Sequence, residues 1–182
     1  PPRSTLFPYT TLFRSESPDV VKFLDINLRK KCYTATSIED SLRMANILKT
    51  NNEELLITKY LLNLRTSKLK ELAQETIEKY TLDILLCTLG AGGAFCITKE
   101  NDFLYDTGYK INLIDTVGSG DAFSAGFVHY YMNGQSIEEA LRFGNAAGAK
   151  VASTTGATSP ISKEEILEFM QNSITRNSIS LE

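Results

Sequence analysis

Asp115-Thr116-Val117-Gly118-Ser119-Gly120-Asp121, continuing as Ala122-Phe123-Ser124-Ala125-Gly126-Phe127, is a loop of small residues that runs straight into a helical pattern. At such a junction the first-turn N–H groups lack intrahelical partners and stand at the positive end of the helix dipole, an arrangement that attracts anions. Glycine at 118 and 120 permits close approach and unusual φ, and Ser119 is too small to block a phosphate. Asp121 is harder to place, because a carboxylate beside polyphosphate adds like-charge repulsion. Acting as the base that accepts a hydroxyl proton during attack on phosphorus gives it a role. The plainer alternative is that Asp121 caps the helix and the glycines make a turn.

Working outward from this junction, short strands alternate with helices. Val20, Val21, Phe23, Leu24 and Ile26 form an apolar run suited to a buried strand that ends near residues 25–27. Ser37 is read as the N-cap of the next helix, with Asp40 three residues on and Ile38, Leu42 and Ala45 along one face. A strand at 47–49, helices at 53–62 and 67–80 and a strand at 83–88 follow. Gly90, Gly92 and Gly93 interrupt the chain before short strands at 94–98, 103–105 and 110–114. Helices are expected at 120–131, 136–153 and 162–171. This alternation predicts an α/β fold of three layers, a mainly parallel sheet flanked by helices, with a ligand cleft at the carboxyl ends of the strands.

The 182 residues suffice for one domain, and 42% apolar with 23% charged residues is ordinary for a globular chain. A net charge of −3 offers no basic footprint for a nucleic acid, and no apolar run approaches a membrane span. Cys32, Cys87 and Cys96 are odd in number and widely spaced, which argues against a disulfide framework or zinc site and for a reducing cytoplasm. Cys87 and Cys96 read as small buried hydrophobes. Lys49 reads as a solvated strand-end lysine, and His129, two helical turns past Asp121, lies too far away to pair with it. Residues 1–15, in which Thr-Leu-Phe occurs twice, show no helical or strand period and are set apart as a non-native or disordered segment.

The run Asp-Thr-Val-Gly-Ser-Gly-Asp-Ala-Phe closely resembles the C-terminal signature of the ribokinase-like, or PfkB, carbohydrate kinases, in which Ala usually stands where Ser119 does. The resemblance implies that Asp121 is the catalytic base and that the backbone of Gly118, Ser119 and Gly120 forms the anion hole. Asn51-Asn52-Glu53-Glu54 resembles the family's Asn-x-x-Glu motif, which implies Mg²⁺ and phosphate handling by Asn51 and Glu54. A plain helix N-terminus with acids near its positive end is the alternative. Thr88-Leu89-Gly90 with Gly92-Gly93 resembles the nucleotide loop, implying that Thr88, Gly90 and Gly93 lie near ATP. Asn145 matches an asparagine near the adenine. Asp25, Asn27 and Arg29 resemble the Asp-x-Asn-x-Arg segment of fructokinase-like members, and their alternation along an extended chain would face all three into one substrate cleft.

The resemblance covers roughly residues 19–175 and only the C-terminal half of a family member. The lid, the first strands and most sugar contacts are not found. Residues 16–182 are therefore expected to be the nucleotide-binding and catalytic half of a ribokinase-like domain truncated at its N-terminus. The expected reaction is transfer of the γ-phosphoryl group of MgATP to a sugar hydroxyl, fructokinase-like. The expected partners are a sugar and ATP, with neither nucleic acid nor membrane, and a homodimer in the full-length form. The alternatives are a nucleotide-binding fragment without activity, or a kinase for 2-keto-3-deoxygluconate, ribose or a nucleoside.

Overall fold

A computed structural model of the chain describes residues 20–29, 32–156, 160–172 and 175–177. Residues 1–15, set apart above, lie outside the described residues. Within them the elements run β1 (Phe23–Asp25), α1 (Ala35–Met44), β2 (Ile47–Asn51), α2 (Asn52–Leu62), α3 (Leu69–Tyr80), β3 (Ile84–Thr88), a 3₁₀ turn (Gly90–Gly92), β4 (Gly93–Thr98), β5 (Phe103–Tyr109), α4 (Ser119–Met132), α5 (Ile137–Ala152), α6 (Lys163–Asn172) and β6 (Arg176–Asn177).

The strands form one sheet in the order β1-β2-β3-β4-β5-β6. The pairs β1–β2 and β2–β3 are parallel, and β3–β4, β4–β5 and β5–β6 are antiparallel. The sheet is thus mixed rather than mainly parallel. Connection length explains the difference. Helical crossovers return the chain in the same direction from β1 to β2 and from β2 to β3, whereas the short glycine turn after β3 and the tight turn after β4 join only antiparallel neighbours.

Strict alternation along the central strands creates the three layers. Leu48, Leu85, Cys87, Phe95 and Ile97 face one core with Leu42, Leu55, Leu72 and Ile77 from α1 to α3. Their neighbours Ile47, Ile84, Leu86, Ala94 and Cys96 face the other core with Phe123, Phe127 and Leu141 from α4 and α5. Because both faces are covered, these strands read as continuous apolar runs, as the sequence shows at 84–87. Cys87 and Cys96 are buried without solvent contact, one in each core, which matches their reading as small hydrophobes. Burial disfavours the thiolate, raising the Cys87 thiol beyond its ordinary range and pushing that of Cys96 up to about 12. Alkylation of the native chain at pH 8 should therefore label Cys32, which is exposed, and spare the other two until the chain is denatured. Mass spectrometry showing two or three labels on folded protein would contradict the packing.

Three local expectations change. The N-cap of α1 is Thr34, not Ser37: Thr34 is extended, its hydroxyl accepts from Ser37 N (3.1 Å), and Ser37 Oγ accepts from Thr34 N (2.9 Å), closing a capping box. Residues 110–114 are not a strand. Their backbone donors go elsewhere, Lys110 N to Thr175 O (3.1 Å) and Ile114 N to Ala152 O (2.9 Å), so no neighbouring strand is recruited. The preceding strand instead runs on to Tyr109, where β6 pairs with it through Gly108↔Asn177 and Tyr109↔Arg176.

Candidate active site

The three parallel strands deliver their carboxyl ends to one place, as the general rule for open α/β sheets requires. Asp25 ends β1, Asn51 ends β2 and Thr88 ends β3. The N-terminus of α4 arrives opposite them. A polar cleft of about 480 Å³ is lined there by Asp25, Asn27, Arg29, Lys49, Asn51, Glu54, Thr88, Gly90 and the run from Val117 to Asp121. Every residue assigned above to catalysis, metal handling or substrate is in that lining.

At the start of α4, Gly118 is the N-cap residue in the left-handed region (φ 82°), without a side-chain cap. Ser119 N donates to Thr116 O (3.2 Å), and Ser119 Oγ donates to the same oxygen (2.7 Å). Ala122 N donates to Gly118 O (2.8 Å). The N–H groups of Gly120 and Asp121 have no such partner among the described residues, and they are the donors left open to an anion. Asp121 is exposed, and its carboxylate makes no hydrogen bond or ion pair among the described residues. It therefore does not cap the helix, which was the plainer account of its presence.

Asn51 and Glu54 form a reciprocal capping box for α2. Asn51 Oδ1 accepts from Glu54 N (2.8 Å), and Glu54 Oε2 accepts from Asn51 N (3.0 Å). Glu54, 8% exposed, also accepts from Leu28 N (2.9 Å) through Oε1, so it fastens the segment that carries Asn27 and Arg29. That segment is not extended throughout. β1 stops at Asp25 and Asn27 adopts φ 36°, so the simple alternation expected along a strand breaks, although all three residues still line the cleft.

Lys49 corrects the sequence reading most sharply. Far from being solvated, it is 6% exposed, and Nζ lies 3.1 Å from Asp25 Oδ2. The parallel register places Asp25 directly beside Lys49, and Ser124 Oγ of α4 donates to Asp25 Oδ2 (2.9 Å). A Cβ on Gly120 would stand 3.2 Å from Lys49 Nζ, so this buried cation sits against the opening of α4. Ser124 was missed by sequence reasoning. The burial of Lys49 carried no signal in the sequence, because its acid partner is brought beside it only by the β1–β2 register.

A second, more apolar cleft of about 260 Å³ adjoins the first, sharing Thr88, Gly90, Ser119 and Gly120, and is lined further by Gly93, Tyr109, Ile111, Phe123, Asn145 and Asn177. Gly93 and Asn145 thus stand on the apolar side of the boundary. Asn145, 8% exposed, donates through Nδ2 to the Asp106 carboxylate and to Thr107 O (2.9 Å). His129 lines neither cleft.

Among the described residues no group of three His, Cys, Asp or Glu side chains is arranged to hold a metal ion directly. The donor set nonetheless suits Mg²⁺, which keeps much of its water: Glu54 has lone pairs beyond the two engaged by N–H groups, and it faces the polar cleft. No helix among the described residues is long and apolar enough to cross a membrane.

The sequence profile of the pfkB family carbohydrate kinases matches residues 12–164. The chain belongs to that family. It is 36% identical over 92 residues to a ribokinase of Haemophilus influenzae, a match covering 50% of this chain and 30% of that protein. Over 156 residues it is 24% identical to a 5-dehydro-2-deoxygluconokinase of Listeria monocytogenes, covering 84% of this chain and 47% of that protein. Its fold matches the crystal structure of a fructokinase from Vibrio cholerae O395, bound to fructose, ADP and calcium, with a TM-score of 0.75, 24% identity, and coverage of 88% of this chain and 55% of that one. The chain thus spans about half the length of these relatives, or less.

Proposed function

We propose that this chain is the nucleotide-binding and phosphoryl-transfer portion, residues 16–182, of an ATP-dependent sugar kinase. The observation that carries the proposal is the unpaired Asp121 carboxylate beside the open N–H groups of Gly120 and Asp121, at the boundary between a polar and an apolar cleft. A nucleoside fits the apolar cleft near Asn145 and Gly93, with its polyphosphate crossing Thr88 and Gly90 to the start of α4. The two open N–H groups then meet the charge that spreads over the transferring phosphoryl oxygens. As the acceptor oxygen bonds to the γ-phosphorus and the β–γ bridge breaks, the hydroxyl proton passes to Asp121, and ADP leaves with the bridging electrons. Mg²⁺, when bound, neutralises phosphate charge, with Glu54 and Asn51 holding it through its water shell.

Asp25, Asn27 and Arg29 favour a fructokinase-like acceptor. Arg29, exposed at the mouth of the polar cleft, offers a cation to a sugar oxygen or carboxylate, while Asp25 is committed to Lys49 and Ser124. Ribose, 2-keto-3-deoxygluconate and nucleosides are the other acceptors to be assayed. The span of about half the relatives' length supports a second reading, a segment that binds nucleotide without turnover. Calorimetry with MgATP on this chain tests nucleotide binding, and a coupled ADP-release assay over these acceptors, run on a longer protein that carries this segment, separates the two. The proposal expects weak binding and turnover near zero for this chain, with turnover on one sugar in a longer protein that also carries the acceptor half. Absence of any nucleotide binding would overturn it.

A further inference from the structure

Alternation along β1 and β2 turns Phe23 and Ile47 towards the core beneath α4 and α5, and two residues further on it turns Asp25 and Lys49 the same way. A charged pair therefore stands where that face of the sheet meets the opening of α4. Lys49 Nζ lies 3.2 Å from Asp25 Oδ1 and 3.1 Å from Oδ2, so both oxygens of one carboxylate serve one ammonium group. Ser124 Oγ is within reach of Asp25 Oδ2 (2.9 Å) and of Gly120 O (3.1 Å), and its single hydrogen goes to the nearer, charged acceptor. Gly120, whose N–H is open to an anion, packs directly against the ammonium group.

The positive end of a helix favours anions and disfavours cations, so α4 by itself would retain Asp25 and reject Lys49. Asp25 without its partner, however, would set a negative charge beside the N–H groups that are to receive phosphate, and like charges repel strongly where water is partly excluded. Lys49 is the only cation paired with Asp25 among the described residues. Its side chain is 8% exposed against 23% for Asp25, so the pair is held with the ammonium inward and the carboxylate at the cleft.

We propose that Lys49 acts through Asp25 as a buried counter-ion: it cancels the charge of that carboxylate, so that the opening of α4 stays attractive to the terminal phosphate of a nucleotide. Asp25, thus neutralised, can tie β1 to α4 through Ser124 without repelling the ligand. Lys49 is a positioning residue in this account and needs no contact with phosphate. The inference rests on the kinase reading for the presence of a nucleotide at α4.

MgATP and adenosine are the probes, because adenosine carries no phosphate, and binding to the 182-residue chain is measured by calorimetry. Lys49→Met keeps an unbranched side chain and removes its charge; it should weaken MgATP about tenfold and leave adenosine unchanged. Asp25→Asn keeps an oxygen for Lys49 and Ser124 while removing the negative charge, and should tighten MgATP about threefold. Both changes together should return MgATP affinity to within about twofold of the unaltered chain. A merely structural pair predicts the opposite for Asp25→Asn, weaker binding of both ligands. Asp25→Asn that lowers MgATP affinity or leaves it unchanged overturns the inference while the kinase reading stands, and this arm decides alone where Lys49→Met does not fold. A double variant as weak as Lys49→Met also overturns it. Failure of the unaltered chain to bind MgATP overturns both.

Discussion

Asp121→Asn in a full-length protein carrying this segment should lower turnover by roughly 10² to 10⁴-fold, with nucleotide affinity nearly unchanged. The substitution keeps size and shape but removes the ability to take up a proton. Structure gives little reason for collateral damage. The Asp121 carboxylate makes no contact that folding depends on, and the N-cap of its helix is Gly118. The neighbouring donors are backbone groups, which the substitution leaves in place. Steady-state kinetics with fixed sugar and varied ATP would show kcat falling and KM for ATP holding. A variant with near-normal turnover would remove Asp121 from the chemistry and return it to the status of a surface acid.

Gly93→Ala should be among the most damaging single-methyl changes in the chain. Gly93 sits at φ 94°, and an added Cβ would lie 2.1 Å from Asp106 O and 2.6 Å from Gly108 N. Those atoms belong to the backbone of β5, which is paired to Gly93 through Thr107 and held from behind by Arg176. They cannot swing aside as a side chain can. Backbone strain and overpacking together should cost on the order of 3 kcal/mol or more, a fall in Tm of roughly 6–12 °C for a chain of this size. Displacing Asp106 should also release Asn145 and abolish ADP binding. Gly134→Ala is the control: its φ is 80°, but nothing lies within 4 Å of the added carbon. It should cost about 1 kcal/mol and leave ADP binding intact.

Much of the molecule is visible in the residues themselves. The core strands declare themselves because both faces are buried, so 84–87 is apolar without a break. A capping residue marks the start of α2 at Asn51, and at α1 three hydroxyl residues within four positions left the choice of cap open and Thr34 took it, whereas α3 and α4 begin without a side-chain cap. The run 110–114 has a strand's composition but finds no strand beside it, and only the fold decides that. Within the site, the loop from Asp115 to Asp121 was readable because small residues before a helix have a direct physical meaning. Lys49 was not, because its burial depends on Asp25, 24 residues earlier in the chain and adjacent only through the β1–β2 register. Arg176 and Asn177 were invisible for the same reason: a two-residue strand has no period, and its importance comes from pairing with β5.

In the proposed kinase, the boundary between the two clefts, at the start of α4, binds the phosphate end of a nucleotide. Backbone amide shift mapping by NMR during titration of the chain with MgADP tests this directly. The largest shifts should fall on Gly118, Ser119, Gly120 and Asp121, with a second set on Thr88, Gly90 and Gly93 and a weaker set around Asn145. Saturable shifts confined to other surfaces, or no shifts at millimolar MgADP, would contradict it.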